Sequence, residues 1–327
     1  MRAVVVKQPG RPEDMSIGEI PDPRPGPGEL LVRVRATALN RLDLLQRQGR
    51  YPVPPGAPET LGVEMAGDVE GWGAGVSGWQ QGERVCALIL GGGYAELVAV
   101  PAAMAMRIPA NLSYEEAAGI PEAYLTAYLN LFLIGGLQAG GYALFHAGAS
   151  GVGTAAIQLI REAGAHAIVT VGSAEKAARC RELGAIAALN YRQGPFEPGV
   201  MAATGGRGVD LIIDTVGAPY WEQNLNCLVT AGRLIILAMQ GGGTLEQVNL
   251  GVIQRKRIRV IGSVLRPLPL EEKIDLTARF AEFAMDRFAD GRLISVVDRV
   301  YPWDEAPEAH RYMESNANIG KIVLRVS

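Results

Sequence analysis

Cysteine, histidine and aromatic residues are scarce in this sequence. Its 327 residues include three cysteines and three histidines, and aromatic residues make up 6%. The cysteines, Cys86, Cys180 and Cys227, are odd in number and show no C-x-x-C spacing. This argues against a disulfide framework and is typical of a reducing compartment, so we expect a cytoplasmic protein.

A charge excess and a long hydrophobic run are also missing. The formal net charge is −3, and the one dense basic run, 255–259, precedes an apolar strand. We interpret that run as a solvated strand entry, so no nucleic-acid partner is expected. The longest apolar stretch, 124–137, is interrupted by Asn130 and falls short of the ~20 residues that span a bilayer. Residues 1–7 read as the start of a strand rather than a signal segment, so no membrane partner is expected.

The most informative segment is a glycine-rich turn within residues 142–154. An apolar run enters the turn, and a helix is predicted to follow it over 154–163. The strict G-x-G-x-x-G pattern needs glycine at 148, 150 and 153, and the middle position here is Ser150. A strand, a glycine turn and a helix in this order are typical of a pyrophosphate site, because the turn and helix amides converge there. The alternative is a tight turn that binds nothing.

The residues after this turn favour NADP over NAD. NAD sites place a carboxylate about 20 residues on, where it binds the ribose 2′-OH. Here the second strand ends at Gly172 and Ser173 without an acid, and Lys176 follows within one helical turn. A lysine suits the 2′-phosphate of NADP, which a carboxylate would repel. Glu175 is the counterargument, but we expect it inside the next helix and pointing to solvent.

The predicted secondary structure of the chain changes at about residue 118. Residues 1–118 read as β-rich, with strands over 30–36, 83–90 and 95–101 and a capping box from Ser113 to Glu116. Residues 119–266 alternate between helix and strand, which predicts a doubly wound parallel sheet. Residues 267–327 are predicted to contain a helix over 271–290 and then to be β-rich again. The strands of the alternating region are predicted near 142–147, 167–171, 186–190, 209–215, 233–238 and 258–264. We therefore predict an α/β cofactor domain inserted in a discontinuous β-rich domain, with hydride transfer in the cleft between them.

Several motifs together resemble the medium-chain dehydrogenase/reductase superfamily over essentially the whole length. They are most similar to its zinc-free quinone oxidoreductase branch, and in detail to the tumour-suppressor-inducible members of that branch. The resemblance implies a Rossmann cofactor domain inserted in a GroES-like catalytic domain. The motifs are Ala38-Leu-Asn-Arg-Leu-Asp43, Gln48-Gly-Arg-Tyr-Pro52, Gly62-Val-Glu-Met-Ala-Gly67, Gly92-Gly-Tyr-Ala-Glu96, Pro121-Glu-Ala-Tyr-Leu-Thr-Ala127, His146-Ala-Gly-Ala-Ser-Gly-Val-Gly153 and Asn318-Ile-Gly-Lys-Ile-Val323.

Departures from the zinc-dependent alcohol dehydrogenases predict that no zinc is bound. Their Gly-His-Glu motif reads Gly62-Val63-Glu64 here, and the position of their first catalytic cysteine is similar to Asn40. Zinc needs about four N, S or O ligands, and the three histidines lie far apart in sequence. Without a Lewis acid the substrate must already be electrophilic, as a quinone or an activated alkene is.

The resemblance also implies which residues hold NADPH. The glycine turn would line the pyrophosphate, the tip of the second strand would surround the 2′-phosphate, and the remainder would face the nicotinamide and adenine edges. For each of them, ordinary turn, helix or sheet-end structure is the competing interpretation. The residues are Asn40, Thr126, Ser150, Gly151, Val152, Gly153, Gly172, Ser173, Lys176, Tyr191, Gly217, Gly241, Gly242, Gly243, Val264, Leu265, Arg266 and Asn318.

Three residues are candidates for the substrate side. Asn40 can hydrogen-bond a ribose or a quinone oxygen, and Tyr51 can donate a proton or stack on a ring; a loop filler is the alternative for Tyr51. Asp43 is the third candidate, with bracing of the loop as its alternative, and His146 is interpreted as a core histidine. We predict NADPH-dependent, zinc-independent reduction of quinones, by hydride or one-electron transfer. The alternatives are reduction of enones, alkenals or enoyl thioesters, and NADPH binding with little turnover. An apolar edge strand over 258–264 predicts a homodimer.

Overall fold

A computed structural model describes all residues, Met1–Ser327. The chain forms two compact units, one made of Met1–Leu125 with Arg266–Ser327 and the other of Thr126–Leu265. The strands are β1 (Arg2–Val6), β2 (Met15–Glu19), β3 (Glu29–Ala38), β4 (Glu64–Trp72), β5 (Arg84–Leu88), β6 (Leu97–Pro101), β7 (Ala105–Arg107), β8 (Tyr142–Phe145), β9 (His166–Val171), β10 (Ala185–Asn190), β11 (Val209–Asp214), β12 (Leu228–Ile236), β13 (Arg259–Gly262), β14 (Val297–Pro302) and β15 (Lys321–Arg325).

Ten α-helices accompany these strands. They are α1 (Arg41–Arg47), α2 (Tyr114–Ala118), α3 (Pro121–Tyr128), α4 (Gly151–Glu162), α5 (Ala174–Glu182), α6 (Glu197–Ala203), α7 (Trp221–Cys227), α8 (Leu250–Lys256), α9 (Leu270–Ala289) and α10 (Ala306–Glu314). A π-helix, Leu129–Ile134, continues α3. No helix combines the length and the apolar character that crossing a membrane requires.

The β-rich unit is built on a mostly antiparallel sheet of seven strands. Its order is β14-β15-β3-β4-β5-β7, with β6 paired to β3, and β1 and β2 form a separate ribbon. Alternate residues of β3, such as Leu30, Val32 and Val34, are buried, because one face of the sheet packs inward. The last strand, β15, lies between β14 and β3, so the C-terminal segment completes the sheet that the N-terminal segments begin.

The second unit is a doubly wound parallel sheet. Its order is β10-β9-β8-β11-β12-β13, and every pairing is parallel. This is the Rossmann order, in which the order of the strands reverses between β8 and β11 and leaves a crevice at the carboxyl ends of these two strands. Leu144, Ile168, Ile212 and Leu234 come from four adjacent strands and form one buried layer. The predicted fold class is confirmed.

Some predicted element boundaries were wrong. Helix α4 begins at Gly151 rather than at residue 154, because Ser150 caps it; glycines disguise that first turn. Strand β12 begins at Leu228, not 233. The basic run 255–259 leads into β13, whose first residue is Arg259, as predicted; its first residues also end α8, which Arg257 closes in the left-handed conformation. The Lys256 Nζ donates to carbonyls at the end of α7, including Leu225 O at 2.9 Å.

Candidate functional site

The glycine turn after β8 leads directly into helix α4. The Ser150 hydroxyl accepts a hydrogen bond from the Gly153 amide at 3.0 Å, and the Thr154 amide donates to the Ser150 carbonyl at 2.8 Å. The amides of Gly151 and Val152 have no hydrogen-bond acceptor in the chain. Two open N–H groups at the positive end of a helix of 12 residues form a ready anion site, so the predicted pyrophosphate residues fit a dinucleotide.

Close packing explains why glycine stands at two positions of this turn. A methyl group at Gly153 would stand 2.5 Å from the carbonyl oxygens of Ala147 and Gly148, and one at Gly148 would stand 2.4 Å from Val169 Cβ. The turn therefore lies flat against β9 and against the first turn of α4. No side chain intrudes at these two points, which is the geometry that a backbone cradle for phosphate requires.

The residues predicted around the 2′-phosphate come together at the tip of β9. Ser173 caps α5 by accepting a hydrogen bond from the Lys176 amide at 3.2 Å. The Tyr191 hydroxyl lies 2.7 Å from the position that a Gly172 Cβ would occupy, so this tyrosine covers the strand tip. Glu175 is exposed within the first turn of α5, as expected.

The glycines predicted along the cofactor edge also meet. Gly217 has a left-handed φ of 90°, and a methyl group there would stand 2.4 Å from the Gly242 carbonyl oxygen. The Gly241 amide donates to the Val216 carbonyl at 2.8 Å. Gly243 follows, and a methyl group at that position would contact the Met239 sulfur at 2.8 Å. The loops after β11 and β12 are thus held against each other.

A buried hydrogen-bond network next to these loops includes His146. Asn224 Oδ1 accepts from His146 Nε2 at 2.7 Å, which leaves His146 Nδ1 to accept from the Thr170 hydroxyl at 3.0 Å. The Asn224 amide donates to Asp214 Oδ2 at 3.0 Å, and Asp214 Oδ1 receives the Val216 and Gly217 amides at 2.7 and 3.0 Å. Burial lowers the pKa of His146, so the ring is neutral. His146 is a core residue that ties β8 and β9 to the Gly217 loop.

Thr126 and Asn318 make hydrogen bonds within their own segments. Thr126 is buried in α3, and its backbone carbonyl accepts a hydrogen bond from Asn130 Nδ2 at 2.8 Å. Asn318 donates to the Gly320 carbonyl at 2.8 Å within its own turn. After β13, Val264 is 56% exposed and Leu265 is buried.

Arg266 is placed with the substrate-side residues. Its guanidinium donates to the Leu90 carbonyl at 2.6 and 3.0 Å and to Gln46 Oε1 at 2.9 Å, and it lies 5.5 Å from the centre of the Tyr51 ring. Burial raises the pKa of the Tyr51 phenol, and the Arg266 charge opposes that rise. Tyr51 therefore stays a neutral hydroxyl donor beneath a cation.

Asn40 belongs to a buried cluster that includes two residues the sequence analysis did not assign. Glu64 Oε1 accepts from Asn40 Nδ2 at 2.8 Å and from Lys321 Nζ at 2.7 Å. Lys321 Nζ also donates to Asn40 Oδ1 at 2.7 Å and to the Leu39 carbonyl at 2.8 Å. Glu64 and Lys321 both lie in quoted motifs, but a pairing across 257 residues leaves no local sequence signal.

Asp43 is fully buried and braces two backbone segments. Its Oδ2 accepts from the Asn40 amide at 2.8 Å and its Oδ1 from the Gly62 amide at 3.1 Å. Burial raises the pKa of this carboxyl to about 6, while the two backbone donors oppose the rise. Both oxygens are occupied within the chain, so the geometry supports the bracing alternative.

The cluster does not fit a zinc ion. Val63 offers no ligand atom, and the Lys321 ammonium already occupies Asn40 and Glu64. No group of three or more histidine, cysteine or acidic side chains in the chain could hold a metal ion. A cation bound beside the lysine would face its positive charge at close range.

Two family descriptions match the chain. Residues 26–110 match the alcohol dehydrogenase GroES-like domain, and residues 183–324 match the zinc-binding dehydrogenase family. These matches fall mainly on the β-rich unit and on the second half of the parallel sheet with the C-terminal segment. The second description names zinc, which the residues present do not accommodate.

Curated relatives are similar over nearly the whole chain. Quinone oxidoreductase 1 of Escherichia coli strain K12 is 33% identical over 96% of each chain. A 2-haloacrylate reductase of a Burkholderia species is 31% identical over 98% of each chain. The synaptic vesicle membrane protein VAT-1 homolog of Rattus norvegicus is 31% identical over 92% of this chain and 78% of its own length.

Solved structures agree with these relatives. The crystal structure of an Escherichia coli quinone oxidoreductase in complex with NADPH superposes with a TM-score of 0.87, at 31% identity over 99% of both chains. Sequence, fold and the dinucleotide cradle lead to one conclusion. The chain belongs to the medium-chain dehydrogenase/reductase superfamily, as a relative of its quinone oxidoreductases.

Proposed function

We propose that this chain is an NADPH-dependent reductase of quinones that works without zinc. The observation that carries the proposal is the turn at the start of α4, where the backbone N–H groups of Gly151 and Val152 have no acceptor within the chain and could bind an anion. An Escherichia coli relative is named a quinone oxidoreductase and has been crystallised with NADPH. The proposal assigns 119–266 to the cofactor domain and 1–118 with 267–327 to the catalytic domain. Hydride transfer in a cleft between them stays a prediction.

The choice of NADPH rests on the tip of β9. Gly172 and Ser173 offer no carboxylate to a ribose 2′-OH, and Glu175 is exposed in α5. Lys176 is the basic residue in the first turn of α5, and the Tyr191 hydroxyl lies over Gly172. A 2′-phosphate would therefore meet a hydroxyl, a cation and no opposing acid.

Zinc independence rests on the Lys321 ammonium. It pairs with the Glu64 carboxylate and donates to Asn40 Oδ1, so both groups already have a cationic partner from the chain itself. When bound, NADPH supplies a hydride, and a quinone is electrophilic enough to accept it without a Lewis acid. The protein must then position the acceptor and supply a proton to the reduced product.

Lys176→Ala tests the cofactor assignment. The variant should raise the KM for NADPH roughly 10–100-fold and leave kcat little changed, because a charge-assisted contact of about 1.5–3 kcal/mol is lost. The measurement is NADPH and NADH oxidation with phenanthrenequinone. Arg179→Ala is the matched control, since Arg179 pairs with Glu182 on the same helix. An unchanged preference for NADPH in Lys176→Ala would contradict the assignment.

Activated alkenes are the second candidate substrates. The relative named 2-haloacrylate reductase favours them. The same assay with an enone or alkenal in place of the quinone separates the two classes. Tight NADPH binding with no turnover of either class would support the remaining alternative, a binding protein with little turnover.

We also propose a cytoplasmic homodimer that binds neither membranes nor nucleic acids. Strand β13 is the edge of the parallel sheet, as predicted, pairs only with β12, and exposes Val260. Large exposed side chains lie near it in sequence, with Leu250 70% exposed. Exposed apolar edges tend to be paired or covered. Light scattering at micromolar concentration should give twice the monomer mass, and a monomer would refute the dimer.

A further inference from the structure

A carboxyl group without a defined role lies beside the predicted substrate residues. Glu122 is in the first turn of α3, one helical turn before Thr126, and is only 8% exposed. Its backbone amide donates to Glu64 Oε2 at 2.7 Å, which fixes the position of this turn. Its side-chain Oε2 is completely buried and has no hydrogen-bond partner. A buried carboxyl oxygen left unpaired is unfavourable, so it points to a partner from outside the chain.

Glu122 differs in this respect from the two other carboxyls of the cluster. Asp43 uses both oxygens on backbone amides. Glu64 uses one oxygen on Asn40 and Lys321 and the other on the Glu122 amide. Those two groups are structural, whereas Glu122 has an oxygen still to be engaged.

Charges of both signs act on the Glu122 carboxyl. Burial raises its pKa to about 8; Glu64 and Asp43 add to the rise, and Lys321 and Arg266 oppose it. Glu122 in turn acts on two further groups, the Lys273 ammonium and the Tyr51 phenol. At neutral pH Glu122 is therefore protonated in most molecules and can donate its proton.

The alternative donor in this region is Tyr51. Burial raises the pKa of its phenol above the ordinary value of 10, so it is a much weaker acid than Glu122. General acids work best when their pKa is near the operating pH. This ranking makes the tyrosine suited to orienting an acceptor and the carboxyl suited to giving up a proton.

We propose that Glu122 is the proton donor to the reduced acceptor. This role rests on the proposed reductase function. NADPH, when bound, would supply a hydride, which is two electrons and one proton, and a quinone that has accepted it carries one negatively charged oxygen. The O–H bond of Glu122 then breaks as a new O–H bond forms on that oxygen, completing the hydroquinone. The Glu122 carboxylate regains a proton from water before the next turnover.

Activity measurements over pH 5.5–9.5 test this role. Stopped-flow NADPH oxidation with phenanthrenequinone should give a wild-type kcat that declines above about pH 8. Glu122→Gln should lower kcat roughly 100-fold and abolish that decline, because the amide cannot transfer the proton. Glu122→Asp should retain the decline at a reduced rate, with the KM for NADPH within about twofold of wild type. Glu282→Gln, an exposed change on α9, is the matched control.

The stability of the protein provides a readout that does not need turnover. The pKa of Glu122 is raised from 4.5 to about 8 on folding, so its ionisation favours the unfolded chain as the pH rises through that window. Asp43, raised from 3.8 to about 6, acts in the same direction at lower pH. Urea unfolding should therefore show falling wild-type stability up to about pH 8, and Glu122→Gln should remove the part of the fall between about pH 6 and 8.

The outcomes separate this role from the reductase function. If wild type reduces quinones but Glu122→Gln retains kcat within threefold or keeps its high-pH decline, the Glu122 role is overturned and the reductase function stands. If the wild type reduces neither quinones nor enones, the reductase function fails and the role falls with it. If Glu122→Gln keeps the wild-type affinity for NADPH but has a lowered kcat that no longer declines at high pH, the result supports the Glu122 role.

Discussion

Lys321→Met is expected to lower the free energy of unfolding by about 3–5 kcal/mol. Lys321 is 4% exposed and its ammonium makes three hydrogen bonds, to Leu39, Asn40 and Glu64. Methionine of similar length fills the space but leaves the Glu64 carboxylate buried without its cation. Urea unfolding at pH 7 measures the loss.

A double change separates the charge from the packing. Lys321→Met combined with Glu64→Gln should regain a large part of the lost stability, because no uncompensated charge remains in the core. The side-chain carbonyl of the introduced glutamine keeps an acceptor for Asn40. If Lys321→Met alone is as stable as wild type, the ammonium does not hold this cluster together.

Gly153→Ala is expected to weaken NADPH binding roughly 100-fold, or about 2.7 kcal/mol. The added methyl group would stand 2.5 Å from two backbone oxygens, so either the turn or the first turn of α4 must shift. That shift would move the Gly151 and Val152 amides away from the pyrophosphate. Fluorescence titration with NADPH measures the affinity.

The matched control is Gly71→Ala in β4. A methyl group there would contact nothing within 4 Å, and its backbone conformation is an ordinary one, so NADPH affinity should stay at the wild-type value. Thermal unfolding of both variants shows whether each remains folded. Wild-type affinity in a folded Gly153→Ala would show that the pyrophosphate binds elsewhere.

Local sequence patterns were sufficient to predict most of the parallel sheet. Buried strands such as β8 and β11 are short apolar runs bounded by glycine or polar turns. The errors lie where a side chain decides a boundary. Ser150 caps α4 within a run of glycines, so the helix begins at Gly151 rather than at residue 154.

The substrate side was less predictable because its chemistry depends on distant pairings. Asn40 and Asp43 were found through a motif, but the partner of Asn40 is Lys321, at the far end of the sequence. Glu122 lies in the motif of residues 121–127, where no sequence pattern marks it as a functional residue. Glu122 stands out only in the folded structure, because its side chain is buried and its Oε2 has no hydrogen-bond partner.

The position of Lys321 on β15 means that the buried Glu64 pair requires the C-terminal segment of the chain. The parallel sheet needs only Thr126–Leu265, a contiguous stretch that leaves the ribosome while the segment after it is still unmade. The seven-stranded sheet lacks β14 and β15 until that later segment appears, and until then Glu64 has no buried cation. A chain truncated before residue 321 would therefore contain every residue of the parallel sheet but would lack β15 and the cation that pairs with Glu64.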